Sequence, residues 1–252
     1  KIQQQAEYYS ISINNIDILL PLLESIIIGL DHIHNPFVLF QFVQFYNIEN
    51  HLKEFDLIRS FTQANFSTFE EKVILAQGEI ISTNMMTAYL QEQGVKTILL
   101  SAFDFIRTDR NNEPDMPFIK EHIRQIMKDN EGFQIFLTQG FICKNAYDDI
   151  DNLQRGGSDY TACLIGAALK CEEIQIWTDI DGMHNNDPRI VDDTKAVHQL
   201  NFEEAAELAY FGAKILHPTC ILPAKFAGVP VRLLNTMEPE IEIGRASCRE
   251  RV

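Results

Sequence analysis

The sequence predicts an α/β fold built on a mainly parallel sheet. From Thr68 onward, glycine-containing loops alternate with short β-branched segments and with amphipathic segments of helical spacing, which is typical of βαβ units. Four segments are predicted strands: Val95–Ser101, Phe133–Thr138, Glu173–Thr178 and Val229–Leu234. Four others are predicted helices: Phe69–Glu92, Met116–Asp129, Ser158–Cys171 and Phe202–Phe211. Asn201 and Glu204 have the spacing of a capping box at the start of the last helix.

The chain is expected to form one domain from Lys1 to Ile243, because neither an internal repeat nor a low-complexity linker interrupts it. Residues 1–70 contain no recognisable chemical motif. Within them, the apolar segment Ile18–Leu30 contains a proline and a glutamate and is too short to span a bilayer, so it is predicted to be a buried helix. The abruptly basic segment Gly244–Val252 is expected to be a tail outside the fold.

Composition and charge exclude several classes of function. The net charge of −15 argues against non-specific binding to nucleic acid or to an anionic membrane, since both require a basic face. The five cysteines form no C-x-x-C pair, so neither a zinc site nor a disulfide framework is predicted and a cytoplasmic location is expected. The seven histidines form no H-x-x-x-H pair, and no protein-held metal is predicted.

The segment Gln154–Thr161 is the first candidate binding site. Paired glycines allow the backbone to approach a ligand, and the start of the following helix offers free N–H groups to an anion. Arg155 can hold a carboxylate through two parallel hydrogen bonds. The alternative is an ordinary helix start in which Ser158 or Asp159 is only an N-cap and the arginine is solvated.

Two later segments are candidate phosphate sites. The polar segment from Trp177 to Arg189 begins at the carboxyl end of a predicted strand, and ligands of open parallel sheets bind beyond the carboxyl ends of strands. The alternative for this loop is an Asx-rich surface turn. Phe211–Pro218 contains Lys214, a candidate phosphate ligand whose alternative role is a solvated side chain near a helix end. The motif G-x-x-x-x-G-K-[ST] does not occur, so a nucleotide would require another phosphate-binding architecture.

Together with Gln77–Ser82 and Gln139–Ile142, these segments resemble the aspartate kinase branch of the amino-acid kinase superfamily, from about Glu70 to Glu240. The resemblance implies a three-layer αβα sandwich around a mainly parallel sheet, with L-aspartate and ATP meeting at the carboxyl edge of the strands. It also implies a Lys-Phe-Gly-Gly-Thr-Ser phosphate loop before these segments and ACT regulatory domains after them, neither of which is found in the sequence. The chain is therefore expected to be a truncated catalytic domain.

The resemblance implies roles for particular residues. Glu79 would face the substrate ammonium, and the loop from Arg155 through Gly156 and Gly157 to Ser158 would hold the substrate carboxylates. The candidate catalytic residues are Arg155, Asp159 and Lys214. The candidate nucleotide-binding residues are Thr178, Asp179, His184, Asp187, Arg189, Lys214 and Ile215. His184 stands where relatives often have a tyrosine. Mg²⁺ would be carried by the nucleotide phosphates.

The implied reaction is phosphorylation of the L-aspartate side chain by ATP, giving 4-phospho-L-aspartate for lysine, threonine and methionine biosynthesis. The acceptor carboxylate is ionised near neutral pH, so its attack on the γ-phosphorus needs no general base and depends on positioning and charge neutralisation. A homo-oligomer is expected for the intact protein. Two alternatives stay open: a related carboxylate or carbamate kinase, distinguished by its acceptor, and a non-catalytic ligand-binding remnant.

Overall fold

The computed structural model of the chain describes residues 57, 67–154, 156–178, 191, 193–195, 197, 199–210, 218–238 and 242–247. The segment Ile18–Leu30, predicted to be a buried helix, lies outside the described residues. No helix in the described part of the chain combines the length and the apolar character needed to cross a membrane.

Five α-helices have described bounds: α1 (Thr68–Glu92), α2 (Met116–Asp129), α3 (Gly157–Leu169), α4 (Phe202–Tyr210) and α5 (Pro218–Ala227). A capping box begins α1, because the Ser67 N–H donates to the Glu70 carboxylate at 2.7 Å and the Glu70 N–H donates to Ser67 Oγ at 3.3 Å. The predicted capping box of α4 is confirmed, with reciprocal Asn201 and Glu204 hydrogen bonds of 2.8 Å. The four predicted helices are confirmed, with ends shifted by no more than about two residues.

Eight strands are described: β1 (Thr97–Leu100), β2 (Ile135–Thr138), β3 (Ile142–Lys144), β4 (Ile150–Asn152), β5 (Ile174–Thr178), β6 (Gln199–Asn201), β7 (Val231–Asn235) and β8 (Glu242–Ser247). Strands β1 and β2 are parallel, β3 and β4 form an antiparallel pair, and the third sheet has the order β5-β7-β8-β6. In that sheet, β5 with β7 and β6 with β8 are parallel, whereas β7 with β8 is antiparallel. The predicted α/β class with mainly parallel pairing is confirmed.

The last strand corrects the expectation that the chain leaves the fold at Gly244. Residues 244–247 belong to β8, where Gly244, Arg245 and Ala246 lie opposite residues of β7. Ile243 and Ala246 are buried in the core. The arginines of this segment obscured the strand in the sequence, because main-chain pairing and the burial of Ile243 and Ala246 do not depend on the charge of the segment.

Helix α3 lies between two hydrophobic clusters. Its Cys163 packs in the cluster formed by the four-stranded sheet with α4 and α5, whereas its Leu164 and Ala168 pack in the cluster formed with α1, α2 and β1. The close approach of α3 to β5 requires a glycine at position 166, since a Cβ atom there would lie 2.3 Å from Cγ1 of Ile174 on β5. The small residues of α3 thus fix its position relative to both clusters.

Candidate active site

The connection after β2 packs directly against the start of α3. A Cβ atom at Gly140 would lie 2.7 Å from Oγ of Ser158 and 3.0 Å from its Cα. A Cβ atom at Gly157 would lie 2.3 Å from a ring carbon of Phe141. Both positions therefore require glycine, because any side chain would push the two segments apart.

Phe141 fixes this contact through its main chain. Its φ of 66° lies in the left-handed region, which is unfavourable for an aromatic residue. Its N–H donates to Thr161 Oγ1 at 3.0 Å, and that hydroxyl donates to the Gly157 carbonyl, also at 3.0 Å. Its carbonyl accepts from the Leu153 N–H at 2.8 Å. These bonds hold the unusual backbone conformation in place against the first turn of α3.

The first turn of α3 begins at a glycine and is not capped by a side chain. Gly156 is the N-cap residue, with a left-handed φ of 75°, and no side chain caps the helix there. The alternative in which Ser158 or Asp159 is the N-cap is therefore not observed. Ser158 is exposed. A helix start of this kind, with a close glycine and N–H groups that side chains do not cap, can bind an anion.

Glu79 of α1 lies beside Gly140, which belongs to the connection after β2. The backbone N–H of Gly140 lies near the Glu79 carboxylate, and the side chain of Glu79 is partly buried. Burial raises the pKa of Glu79 above its ordinary value, and the nearby Gly140 N–H opposes this rise. Gly140 thus lies between a partly buried carboxylate and the start of α3.

Asp159 lies in the first turn of α3 and is also partly buried, which raises its pKa. Helix α5 approaches this turn, since Cys220 Sγ donates to the Gly156 carbonyl at 3.6 Å. Burial raises the pKa of the Cys220 and Cys163 thiols to about 12, so both are neutral thiols rather than nucleophilic thiolates.

Thr178, a predicted nucleotide contact, is the last residue of β5 and lies in register with Asn235 at the end of β7. Its carbonyl accepts from the Thr236 N–H at 2.8 Å and from Thr236 Oγ1 at 3.1 Å. Because β5 and β7 are parallel, their carboxyl ends form one edge, where ligands of open α/β sheets bind.

The structure brings several predicted substrate residues together around Gly140, namely Glu79 and the turn Gly156–Ser158, with Asp159 next along the helix. The other predicted site residues, apart from Thr178, lie outside the described residues: Arg155, Asp179, His184, Asp187, Arg189, Lys214 and Ile215. Their convergence stays a prediction. In the part of the chain that the structure describes, no three His, Cys, Asp or Glu side chains are grouped as metal ligands.

Sequence reasoning assigned no role to Gly140, Phe141 or Thr161. The available signal was a glycine placed two residues after a predicted strand, within the Gln139–Ile142 segment that carries the family resemblance. Only the fold shows that this glycine contacts both Glu79 and Ser158, which are far apart in the sequence.

The sequence pattern of the amino acid kinase family matches residues 41–235, and the chain belongs to this family. It is 37% identical over 171 residues to lysine-sensitive aspartokinase 3 of Escherichia coli and 36% identical over 170 residues to an aspartokinase of Chlamydia pneumoniae. Each alignment covers 66% of this chain and 38% of the relative, so the chain spans about two fifths of these curated relatives.

The structure is similar to the crystal structure of E. coli aspartokinase III in complex with aspartate and ADP, with a TM-score of 0.70 and 30% identity. The match covers 88% of this chain and 49% of that one. The predicted family resemblance and the predicted amino-acid kinase fold are both confirmed.

Proposed function

We propose that this chain is the catalytic part of an aspartate kinase, which transfers the γ-phosphoryl group of ATP to the side-chain carboxylate of L-aspartate. The observation that carries the proposal is the placement of Gly140 between the Glu79 carboxylate and the N-terminus of α3. Similarity to aspartokinases, one of them crystallised with aspartate and ADP, supports the same function.

The arrangement around Gly140 is complementary to an amino acid. Glu79 offers a partly buried negative charge to the substrate ammonium, and desolvation strengthens that attraction. The Gly156–Ser158 turn offers backbone N–H groups and a helix N-terminus to a carboxylate. Arg155, which comes directly before this turn in the sequence, would hold a carboxylate through its planar guanidinium. A zwitterionic substrate with a second carboxylate fits this pair of opposite charges.

The nucleotide would bind at the carboxyl edge of β5 and β7, beginning at Thr178. The chain continues from this strand into the polar loop that ends at Arg189, and the segment around Lys214 follows later. In a chain of net charge −15, an ATP site requires several cations to offset the phosphate charge. We therefore assign the remaining nucleotide contacts to Asp179, His184, Asp187, Arg189, Lys214 and Ile215.

Catalysis would depend on positioning of the substrates rather than on a general base. The acceptor carboxylate of aspartate is ionised near neutral pH and can attack the γ-phosphorus directly. Mg²⁺ carried by the nucleotide phosphates would supply charge neutralisation. Lys214 and Arg189 would add positive charge at the phosphates, while Glu79 and the start of α3 hold the acceptor in place. The product is an acyl phosphate, 4-phospho-L-aspartate, which water must not reach.

The proposal is tested by titrating the chain with L-aspartate and with ADP in a calorimeter, and by trapping the acyl phosphate with hydroxylamine in the presence of Mg²⁺ and ATP. We expect L-aspartate to bind and to give the hydroxamate. Glu79→Gln should weaken L-aspartate binding and leave ADP binding nearly intact, whereas the neighbouring Gly78→Ala should change neither. Preference for L-glutamate or carbamate as acceptor, or no binding of L-aspartate, would contradict the proposal.

A further inference from the structure

Gln139 is buried, with 4% of its surface exposed, and it directly follows β2. Its Oε1 accepts from the Ala102 N–H at 2.8 Å, and its Nε2 donates to Thr83 Oγ1 at 2.9 Å. Because a backbone N–H can only donate, the Ala102 contact fixes the orientation of the amide and directs the Nε2 group to Thr83.

The Thr83 hydroxyl links the Gln139 amide to the main chain of α1. It accepts from Gln139 and donates to the Glu79 carbonyl at 2.7 Å, four residues earlier on the same helix. The next residue after Gln139 is Gly140, whose N–H lies near the Glu79 carboxylate. Two consecutive residues of one connection therefore face α1 one turn apart, and the hydrogen bond from Gln139 to Thr83 fixes the first of these points.

We propose that Gln139 is a positioning residue for the substrate site, which holds Glu79 at the level of Gly140 and the N-terminus of α3. Gln139 acts through Thr83 and does not itself contact the substrate. The inference rests on the proposed function, in which Glu79 faces the substrate ammonium. Because the buried Gln139 amide makes directional hydrogen bonds to both Ala102 and Thr83, it favours one arrangement of α1 against the connection after β2.

Two threonines of α1 provide a matched pair for the test. Thr83→Val removes the acceptor of Gln139 and keeps the shape of the side chain. Thr87→Val is the control. It also removes a hydroxyl that donates to a main-chain carbonyl of α1, since Thr87 Oγ1 donates to the Thr83 carbonyl at 2.8 Å. The Gln139 amide, however, donates to the Thr83 hydroxyl. Thr83→Ser keeps the hydroxyl and serves as the conservative variant.

We expect Thr83→Val to weaken L-aspartate binding by about 3- to 10-fold, the equivalent of one net hydrogen bond, with ADP affinity unchanged. Thr87→Val and Thr83→Ser should bind L-aspartate like the native chain. Gln139→Met should behave like Thr83→Val. Calorimetric titration with L-aspartate and with ADP measures all these variants, and thermal melts confirm that each is folded.

The outcomes separate the two proposals. A native chain that binds no L-aspartate contradicts the proposed function. A native chain that binds L-aspartate, together with a folded Thr83→Val variant that binds it equally well, contradicts the positioning role alone. Equal losses in Thr83→Val and Thr87→Val also contradict it, because they would show a general effect of α1 stability.

Discussion

Replacing Gly140 by alanine tests the contact on which the candidate site depends. The added Cβ would lie 2.7, 2.9 and 3.0 Å from Oγ, Cβ and Cα of Ser158. Rotation of the serine side chain could move Oγ, but Cβ and Cα are fixed to α3. Since carbon atoms pack at about 3.5–4.0 Å, the first turn of α3 must move away by about 0.5 Å or more. The φ of Gly140 is not left-handed, so the alanine backbone itself is unstrained.

Overpacking of this size costs about 1–3 kcal/mol, which lowers the melting temperature by about 2–12 °C for a domain of this length. Displacement of α3 from Glu79 should also weaken L-aspartate binding by about 10-fold, which corresponds to about 1.4 kcal/mol of lost contact. Calorimetry with L-aspartate and a thermal melt measure the two effects.

Gly78→Ala is the matched control. Gly78 lies within α1 beside Glu79, and a Cβ atom there would have nothing within 4 Å. This variant should gain about 1 kcal/mol from helix propensity and keep L-aspartate affinity. If Gly140→Ala matches this control in melting temperature and in affinity, the reasoning from close packing at Ser158 is refuted.

Four further predictions concern single side chains. Because burial raises the pKa of Glu79 in the folded state, the contribution of Glu79 to stability falls as the pH rises above the ordinary value of 4.5. Glu79→Gln should therefore gain stability relative to the native chain over that range. Melts from about pH 4 to about pH 8 measure this gain, and a difference independent of pH would contradict it. Iodoacetamide at about pH 8 should label the exposed Cys171 before the three buried thiols of the described chain, as peptide mass spectrometry would show. Gly166→Ala should lower the melting temperature through its contact with Ile174, while L-aspartate affinity in the folded fraction stays unchanged in calorimetry. Lys214→Ala should reduce ADP affinity by about 1–3 kcal/mol without unfolding the domain, and unchanged affinity in the same titration would remove Lys214 from the site.

The long helices and the central strands were predictable because each has a local signal. Helix α2 has its predicted bounds, and the Asn201–Glu204 capping box was visible as a spacing of three. The three-residue strands β3, β4 and β6 were not predicted, because segments so short show no period. Strand β8 was not predicted, because it forms through pairing with β7 and its own composition does not favour a strand.

By itself, the sequence determined the α/β class, the family and the segments that carry the candidate chemistry, since these depend on residue types and their order. The tertiary structure decided which of those segments meet. Gly140 joins Glu79 to Ser158 because β2 ends beside both α1 and the start of α3, and Gln139 reaches Thr83 across 56 positions of the chain. Contacts between distant segments arise from packing in three dimensions, and no local pattern in the sequence records them.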